Sequence, residues 1–293
     1  GGGAAATIPA QTTVKLSGLT SSDKGGKPAA KYRWTLTQPA HSMEVIGPKS
    51  TAPQITFTPR VIGSYSLCLK VWDQAGAPSC AVECVEITVV PKSAIHIELT
   101  WSTAGDKDPY DTGPGVGSDL NLHFTHELAT GNDGDCDGQP DPWFHQPFDT
   151  YWYNPNPNWG SMNPTIADNP VLARQDSDGW GPEIITLDLP EGSVVDPMSY
   201  QIGVVHKFDA GFGDSVATVR VFIKGKLAYK SPPANLKVHA LWHVGRLNWP
   251  NVDHNTQSPL APVNGCQQSG DPCASTSPGK KWTSTGSACV TQC

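Results

Sequence analysis

The stretch SYSLCLKVW, residues 64–72, decides the fold class of this chain. Its apolar residues occupy every second position, and a period of two is typical of a β-strand with one buried face. The same alternation occurs in KYRWTLT (31–37), QITF (54–57) and VEITVV (85–90), and turns rich in Gly, Pro and Ser separate these stretches. Short alternating strands between such turns predict an antiparallel β-sandwich of about 90 residues.

A second set of alternating stretches predicts a second sandwich, and none of them has a helical period. The set comprises IHIELTW (95–101), DLNLHF (119–124), EIITLDL (183–189), YQIGVVHKF (200–208), ATVRVFIKG (217–225) and LKVHALW (236–242). We therefore predict an all-β chain with two β-sandwich domains, the first immunoglobulin-like and the second larger. The predicted segments are a flexible N-terminus at 1–7, the first sandwich at 8–92, the second at 94–252 with an acidic insertion at 126–182, and a Cys-rich tail at 256–293.

The negative charge of the chain is concentrated in its middle third. The net charge is −7, but residues 98–191 carry −15, while residues 1–97 and 192–293 each carry +4. Neither basic end has a cluster of Lys or Arg, which excludes a nucleic-acid partner. No apolar run is long enough to predict a transmembrane helix. The acidic third is rich in aromatic residues, which excludes a disordered acidic tail.

The eight cysteines indicate a secreted, disulfide-bonded protein, with reduced thiols or a zinc site as the alternatives. A hairpin centred near Gly76 would place Cys68 opposite Cys84, at a separation that suits a disulfide. Cys80 and Cys136 would then remain as partners. The four cysteines of the tail would pair among themselves: Cys266, Cys273, Cys289 and Cys293.

The chain begins GGGAAAT, without Met or a signal peptide, which predicts a processed start. Small residues after a missing Cys would suit a bacterial lipoprotein, so one expectation is a lipid anchor upstream of residue 1. The expected location is secreted, in the cell envelope or on the cell surface.

The most specific chemical pattern is NDGDCDGQPDPW at residues 132–143. Its carboxylates alternate and a glycine follows the third of them, so the loop can curl until several oxygens face one point. Calcium takes six to eight such oxygens. The predicted ligands are Asp133, Asp135, Asp137, Asp141 and a backbone carbonyl near Gln139. The pattern resembles the calcium repeats of type-3 thrombospondin modules and the first half of an EF-hand loop. A solvated acidic turn is the alternative.

Two further acidic groups are candidate calcium sites. RQDSDGWGPE offers Asp176, Asp178 and Glu183 around two glycines. GDKDPYDTG offers Asp106, Asp108 and Asp111, although Lys107 could balance that group as a plain turn. Asp119 and Asn121 lie on one face of a predicted strand and could add ligands from its rigid side.

The segment WFHQPFDTYWYNPNPNWG, residues 143–160, contains seven aromatic residues. One interpretation is a binding platform, because flat aromatic rings stack on sugars or anchor a protein partner. Its candidate residues are Trp143, Tyr151, Trp152, Tyr153 and Trp159. The other interpretation, which we favour, is a satellite core that fixes a long loop.

An enzymatic role has little support in the sequence. The motifs HExxH, GxSxG, CxxC and a Gly-rich phosphate loop are absent from the chain. His123 and His126 would point to opposite faces of a strand. Asp176 and Glu183 could form the carboxylate pair of a glycosidase, but no other feature supports a hydrolase. We therefore predict no catalytic residue.

Two resemblances extend this interpretation. Residues 8–92 resemble a PKD-type immunoglobulin-like domain through the turn at 21–26, the Tyr32-Arg33-Trp34 strand and GSYSLCLKVWDQAG at 63–76. The resemblance implies that Trp34 packs in the core. Residues 94–252 resemble an uncharacterised family of secreted bacterial β-sandwiches with DLDLH and DxDGxGPE motifs, read here as DLNLH at 119–123 and DSDGWGPE at 176–183. We expect these two motifs to meet around an ion.

The sequence as a whole predicts a non-catalytic, calcium-binding protein of adhesion, envelope structure or assembly. Its expected partner is a protein or polysaccharide at the cell surface, or a second copy of the chain. The alternative is a carbohydrate-binding module that uses the aromatic segment, and a metal-dependent hydrolase is less favoured.

Overall fold

A computed structural model describes residues 5–108, 111, 113, 115–131, 140–163, 165–177, 179 and 181–250, and the backbone of three short stretches at 260–261, 282–285 and 288–291. The chain divides into two compact units, Gly1–Lys92 and Ser93–Cys293. The described residues form strands and turns without any α-helix, which confirms the predicted all-β class. No helix that could span a membrane occurs in this part of the chain.

The first unit contains six strands. They are β1 (Ala6–Pro9), β2 (Val14–Ser17), β3 (Lys31–Thr37), β4 (Gln54–Phe57), β5 (Gly63–Trp72) and β6 (Glu83–Val90). One sheet has the order β1-β6-β5-β3, in which β1 and β6 are parallel, and the second sheet pairs β2 with β4. The alternating residues of β5 explain this arrangement, because Tyr65 and Leu67 are buried while Ser64 is exposed.

The core and the hairpin of the first unit agree with the sequence. Trp34 is buried, and its indole Nε1 donates a hydrogen bond to the Ala52 carbonyl at 2.9 Å. Cys68 lies opposite Cys84 in the β5–β6 register, and the two form a disulfide. Cys80 is exposed with a free thiol. Its predicted partner Cys136 lies outside the described residues, as do the side chains of the tail cysteines, so those pairings stay predictions.

The second unit contains thirteen named strands. They are β7 (Ile95–Thr103), β8 (Asp119–Thr125), β9 (Asp149–Thr150), β10 (Val171–Arg174), β11 (Glu183–Leu187), β12 (Met198–Phe208), β13 (Ser215–Ile223), β14 (Lys226–Lys230), β15 (Ala234–Leu236), β16 (Leu241–Trp249), β17 (Leu260–Ala261), β18 (Trp282–Thr285) and β19 (Ala288–Thr291). One sheet has the order β10-β11-β7-β13-β14, with β15 also paired to β13. The other has the order β17-β16-β12-β8-β9, and β18 and β19 form a separate hairpin.

The apolar core of the second unit contains alternate residues of strands from both large sheets. Leu120, Leu122 and Phe124 of β8 belong to the same buried cluster as Leu99 and Trp101 of β7. The other face of β8 carries Asp119, Asn121, His123 and Thr125, and these polar residues are also buried. A strand with both faces buried but one face polar marks the place where a functional site is to be sought.

Candidate metal centre

Two acidic segments meet beside the C-terminal half of β7, and a third follows the end of that strand. Glu183 begins β11 and lies opposite Leu99 in the β7–β11 register. The indole Nε1 of Trp101 donates a hydrogen bond to the Ser118 carbonyl at 3.1 Å, which holds the start of β8 beside the same strand. Asp106 follows the end of β7, and its amide donates to the Thr103 carbonyl. The fold therefore brings the DLNLH and GPE stretches together.

Glu183 connects β11 to β8. Its side chain is fully buried, and Oε2 accepts a hydrogen bond from the Leu122 amide at 2.6 Å. This amide is reachable because β9 pairs with β8 only at Phe124 and Thr125. Glu183 Oε1 has no hydrogen-bond partner. Burial raises the pKa of this carboxyl well above its usual range, and the nearby charges of Asp119 and Asp176 raise it further.

Asn121 and Asp106 each also have one buried side-chain oxygen without a hydrogen-bond partner. The Asn121 amide donates through Nδ2 to Asp119 Oδ1 at 3.0 Å, while its own Oδ1 is buried without a hydrogen-bond partner. Asp106 is buried, and its Oδ1 accepts a hydrogen bond from the Asp108 amide at 3.0 Å. Its Oδ2 accepts none. Three buried side chains thus hold oxygens whose hydrogen-bonding capacity is unused.

Two basic side chains accompany this acidic group. Lys207 Nζ lies 3.3 Å from Asp119 Oδ2, and Arg174 Nη2 lies 2.7 Å from Asp176 Oδ2. Burial raises the pKa of Asp119, and the ammonium of Lys207 partly opposes that rise. Sequence reasoning missed both contacts. The contact of Arg174 could have been suspected, because this residue lies two positions before Asp176 in the sequence. Lys207 contacts Asp119 through strand pairing, which no local sequence pattern shows.

A close backbone approach fixes the loop that carries Asp106. A Cβ atom on Gly105 would lie 2.2 Å from the Phe212 carbonyl oxygen, so only glycine fits there. Lys107 in the same turn donates to the Ala104 carbonyl at 2.7 Å. Asp108 is exposed and Asp111 is half-buried.

Several of the remaining predicted ligands are not among the residues that the structure describes. Asp133, Asp135, Asp137, Gln139 and Asp178 lie outside the described residues, so their role stays a prediction. Gly131 donates its amide to the Asp141 carbonyl at 2.6 Å, which joins the two ends of the acidic loop. Among the described residues, no three His, Cys, Asp or Glu side chains have the geometry of a ready metal site.

The aromatic segment is mostly internal. Trp143, Tyr151 and Trp159 are buried, and Trp159 belongs to the main core. Trp152 is half-buried, while Tyr153 is 46% exposed. Of the five predicted platform residues, these last two have rings that a ligand could reach.

Beneath this segment lies a buried ion pair that sequence reasoning missed. His123 Nδ1 is 2.7 Å from Asp149 Oδ2, and the Phe144 amide donates to the same oxygen at 2.6 Å. The ring of Tyr151 stacks on the His123 ring with centroids 4.9 Å apart. Burial raises the pKa of Asp149, and His123 opposes that rise. The pair holds the segment against the polar face of β8.

Comparison with known proteins identifies the first unit but not the second. Residues 2–89 match the family model described as K319L-like, PKD domain, which confirms the PKD resemblance of this unit. The chain is also similar to the solution structure of the PKD domain from KIAA 1837 protein, with 26% identity over 30% of this chain and 80% of that chain and a TM-score of 0.24. No curated protein matches the chain.

Cadherin structures are more distant neighbours. The chain is similar to extracellular cadherin domains 1–4 of Protocadherin Gamma B7, with 13% identity, a TM-score of 0.20, and coverage of 81% of this chain and 47% of that chain. For domains 1–5 of Protocadherin Gamma B2, the identity is 10%, the TM-score 0.21 and the coverage 81% and 37%. The chain thus spans less than half the length of either structure. The resemblance of residues 94–252 to a secreted bacterial family stays a prediction.

Proposed function

We propose that the second unit binds a calcium ion through Glu183, Asn121, Asp119, Asp176 and Asp106, and that the chain is a non-catalytic structural or adhesion protein outside the cell. The observation that carries this proposal is the pair of fully buried oxygens, Glu183 Oε1 and Asn121 Oδ1, which have no hydrogen-bond partner in an acidic environment.

The physical argument rests on the cost of burying a charge. An unpaired buried carboxylate is strongly unfavourable, and folded proteins avoid it by pairing the charge or by coordinating a metal. The charges of Asp119 and Asp176 disfavour ionised Glu183, while the backbone amides of Leu122 and Asp176 partly oppose them. A divalent cation would remove this repulsion. Calcium fits best because every donor is an oxygen and because calcium accepts carboxylate and amide oxygens in irregular geometry.

The proposed setting is extracellular. The disulfide of the first unit indicates an oxidising compartment, and its PKD match supports a spacer that presents the second unit to a partner. That partner is a protein or polysaccharide of the cell surface or a second copy of the chain.

Thermal unfolding with calcium and with EDTA tests the proposal. An ion that binds only the folded state stabilises it by about 2.7 kcal/mol at a free concentration 100-fold above its Kd. Calcium is expected to raise the Tm of the second unit in the wild type and in Glu127→Gln, an exposed control with the same chemical change. Glu183→Gln is expected to lose most of that shift. Equal Tm values in EDTA and millimolar calcium would rule the proposal out.

A carbohydrate-binding role remains the second candidate, because Trp152 and Tyr153 are the reachable rings of the aromatic segment. The ammonium of Lys207 lies 3.7 Å from the Trp152 ring centroid and covers one face of that ring. A sugar could therefore stack only on the part of the Trp152 ring that Lys207 leaves uncovered. Binding on a glycan array that Trp152→Ala abolishes would favour this role over the structural one.

A further inference from the structure

Two basic side chains at or next to β-bulges contact carboxylates of the candidate metal centre: Lys207 contacts Asp119, and Arg174 contacts Asp176. In the β8–β12 ladder, His206 pairs with Leu120 and Phe208 pairs with Asp119, so Lys207 is the extra residue between them. In the β10–β11 ladder the register shifts between Leu172 and Arg174. Bulges re-aim side chains and are frequent next to functional sites.

The ammonium of Lys207 contacts both a carboxylate and an aromatic ring. Its Nζ lies 3.3 Å from Asp119 Oδ2 and 3.7 Å from the centroid of the Trp152 ring. An ammonium over an indole face is attracted by the ring quadrupole. The contact with the ring therefore does not depend on the contact with Asp119, and it can persist when Asp119 is engaged by another cation.

We infer that Lys207 is a built-in counter-ion of the metal centre, which contacts Asp119 in the metal-free protein and gives up that contact, while it keeps the one with Trp152, when a divalent cation binds. The inference rests on the proposed function and deepens it by naming what sets the affinity of that site. Arg174 has the corresponding place at Asp176.

Electrostatics gives the direction of the effect. A divalent cation on Asp119 Oδ2 would lie a few ångströms from the ammonium of Lys207, and like charges at such distances repel even in a well-solvated setting. Lys207 therefore weakens cation binding, while it makes the empty site less costly to fold. Loss of the positive charge at residue 207 should tighten calcium binding by about tenfold.

Lysine suits this role better than arginine would. Its ammonium is a point charge on a flexible stem, and it can leave one partner without breaking a fixed bidentate geometry. The side chain is 28% exposed, so it has room to move toward water.

Calcium titration by calorimetry tests the inference on the full chain. Lys207→Met is expected to lower the calcium Kd about tenfold, whereas Lys226→Met, a matched change on an exposed lysine beside the opposite end of β7, leaves it unchanged. Lys207→Arg keeps the charge and should not bind calcium more tightly than the wild type.

The outcomes separate this inference from the proposed function. Calcium binding that is equal in the wild type and Lys207→Met overturns the counter-ion role and leaves the metal centre standing. Tighter binding in both Lys207→Met and Lys207→Arg also overturns it, because packing rather than charge would then be the cause. An absence of calcium binding in every variant overturns both. If Lys207→Met does not fold, Lys207→Gln provides the same loss of charge with a polar side chain.

Discussion

The two halves of strand β8 bury polar side chains on the same face but balance them differently. In the C-terminal half, His123 and Asp149 form an ion pair at 2.7 Å that aromatic rings surround. Beside the N-terminal half, Asn121 Oδ1 and Glu183 Oε1 of the neighbouring strand β11 have no hydrogen-bond partner. The charges that act on Glu183 there are those of the carboxylates Asp119 and Asp176.

This difference teaches how a function can be recognised among buried polar groups. The carboxylate of Asp149 meets His123 within the chain, so it needs no added ion to balance it, although Asp149 Oδ1 and His123 Nε2 also lack a hydrogen-bond partner. Glu183 differs in its charged surroundings, because the nearby bases Lys207 and Arg174 contact Asp119 and Asp176, and its proposed complement is a cation from outside the chain. The two halves should therefore respond differently to calcium.

The largest expected effect is the loss of one partner of the buried ion pair. Asp149→Ala leaves His123 and the Phe144 amide without their acceptor, and breaking a buried pair in this way costs about 3–5 kcal/mol of stability. Urea denaturation of the second unit measures the loss. Asp188→Ala, a change at an exposed carboxylate, is the control and should stay within about 0.5 kcal/mol of the wild type. If Asp149→Ala removed the calcium response but not stability, the roles of the two halves would be reversed.

The next largest effects are expected for two glycine substitutions, one near each half of β8, which should differ in their effect on calcium binding. Gly105→Ala forces a Cβ to within 2.2 Å of the Phe212 carbonyl oxygen beside Asp106, and Gly203→Ala brings a Cβ to 2.7 Å from the Trp143 ring above His123. Such overpacking costs about 1–3 kcal/mol, so thermal unfolding should show a lower Tm for both variants. Calorimetric titration with calcium distinguishes them, because only Gly105→Ala is expected to weaken binding. Equal calcium affinity in the two variants would contradict a metal centre near Asp106.

Periodicity and turn chemistry allowed much of the fold to be predicted. The alternation of residues 64–72 predicted β5, and the hairpin arithmetic around Gly76 predicted that Cys68 meets Cys84. The DLNLH and DxDGxGPE motifs were predicted to meet around an ion; the hydrogen bond from the Leu122 amide to Glu183 joins one residue of each, and the ion stays a prediction. Local patterns suffice for these features because each depends on strand period or on short sequence separation.

The partners of the buried charges could not be predicted in the same way. Lys207 reaches Asp119 through a bulge in the β8–β12 ladder, and Asp149 reaches His123 through a two-residue strand inside the acidic insertion. Both contacts join residues that are far apart in sequence and depend on strand register, which sequence period alone does not specify. The burial of Trp159 in the main core, in contrast, fits the packing interpretation of the aromatic segment.

The pH dependence of stability provides a smaller, signed test of the metal-free centre. The pKa of folded Glu183 lies well above the ordinary 4.5, so the folded state binds more protons than the unfolded state as the pH rises from there. The contribution of Glu183 to the free energy of unfolding therefore decreases with rising pH in this window, by about 1.4 kcal/mol for each unit of pKa difference. Burial lowers the pKa of His206 and that of His243, the latter to about 4, and these two groups act in the opposite sense between pH 5 and 7. The contribution of Glu183 is therefore read from thermal unfolding in EDTA as the difference in pH dependence between the wild type and Glu183→Gln.

Glu183→Gln separates this contribution from that of Asp149, whose pKa is also raised. The variant should lose the part of the pH slope that Glu183 causes but retain the part that Asp149 causes. Calcium should act in the opposite sense, with a larger stabilisation at pH 7 than at pH 5, because protons compete with it for the carboxylate. An equal dependence of the Tm on pH in the wild type and in Glu183→Gln, both in EDTA, would contradict the raised pKa of Glu183 on which the comparison of the two halves depends.

The smallest expected effect is at Tyr153, and its value lies in the contrast with a neighbouring ring. Tyr153 is 46% exposed, so Tyr153→Ala should change the free energy of unfolding by no more than about 0.5 kcal/mol. Trp143 is 4% exposed and packs with Val205 and Leu241, so Trp143→Ala should cost about 3–5 kcal/mol. Chemical denaturation compares the two variants directly. A large loss of stability for Tyr153→Ala would show that this ring belongs to the packed aromatic segment that covers β8. A neutral effect on stability together with lost glycan binding would instead place this ring at the edge of a ligand site.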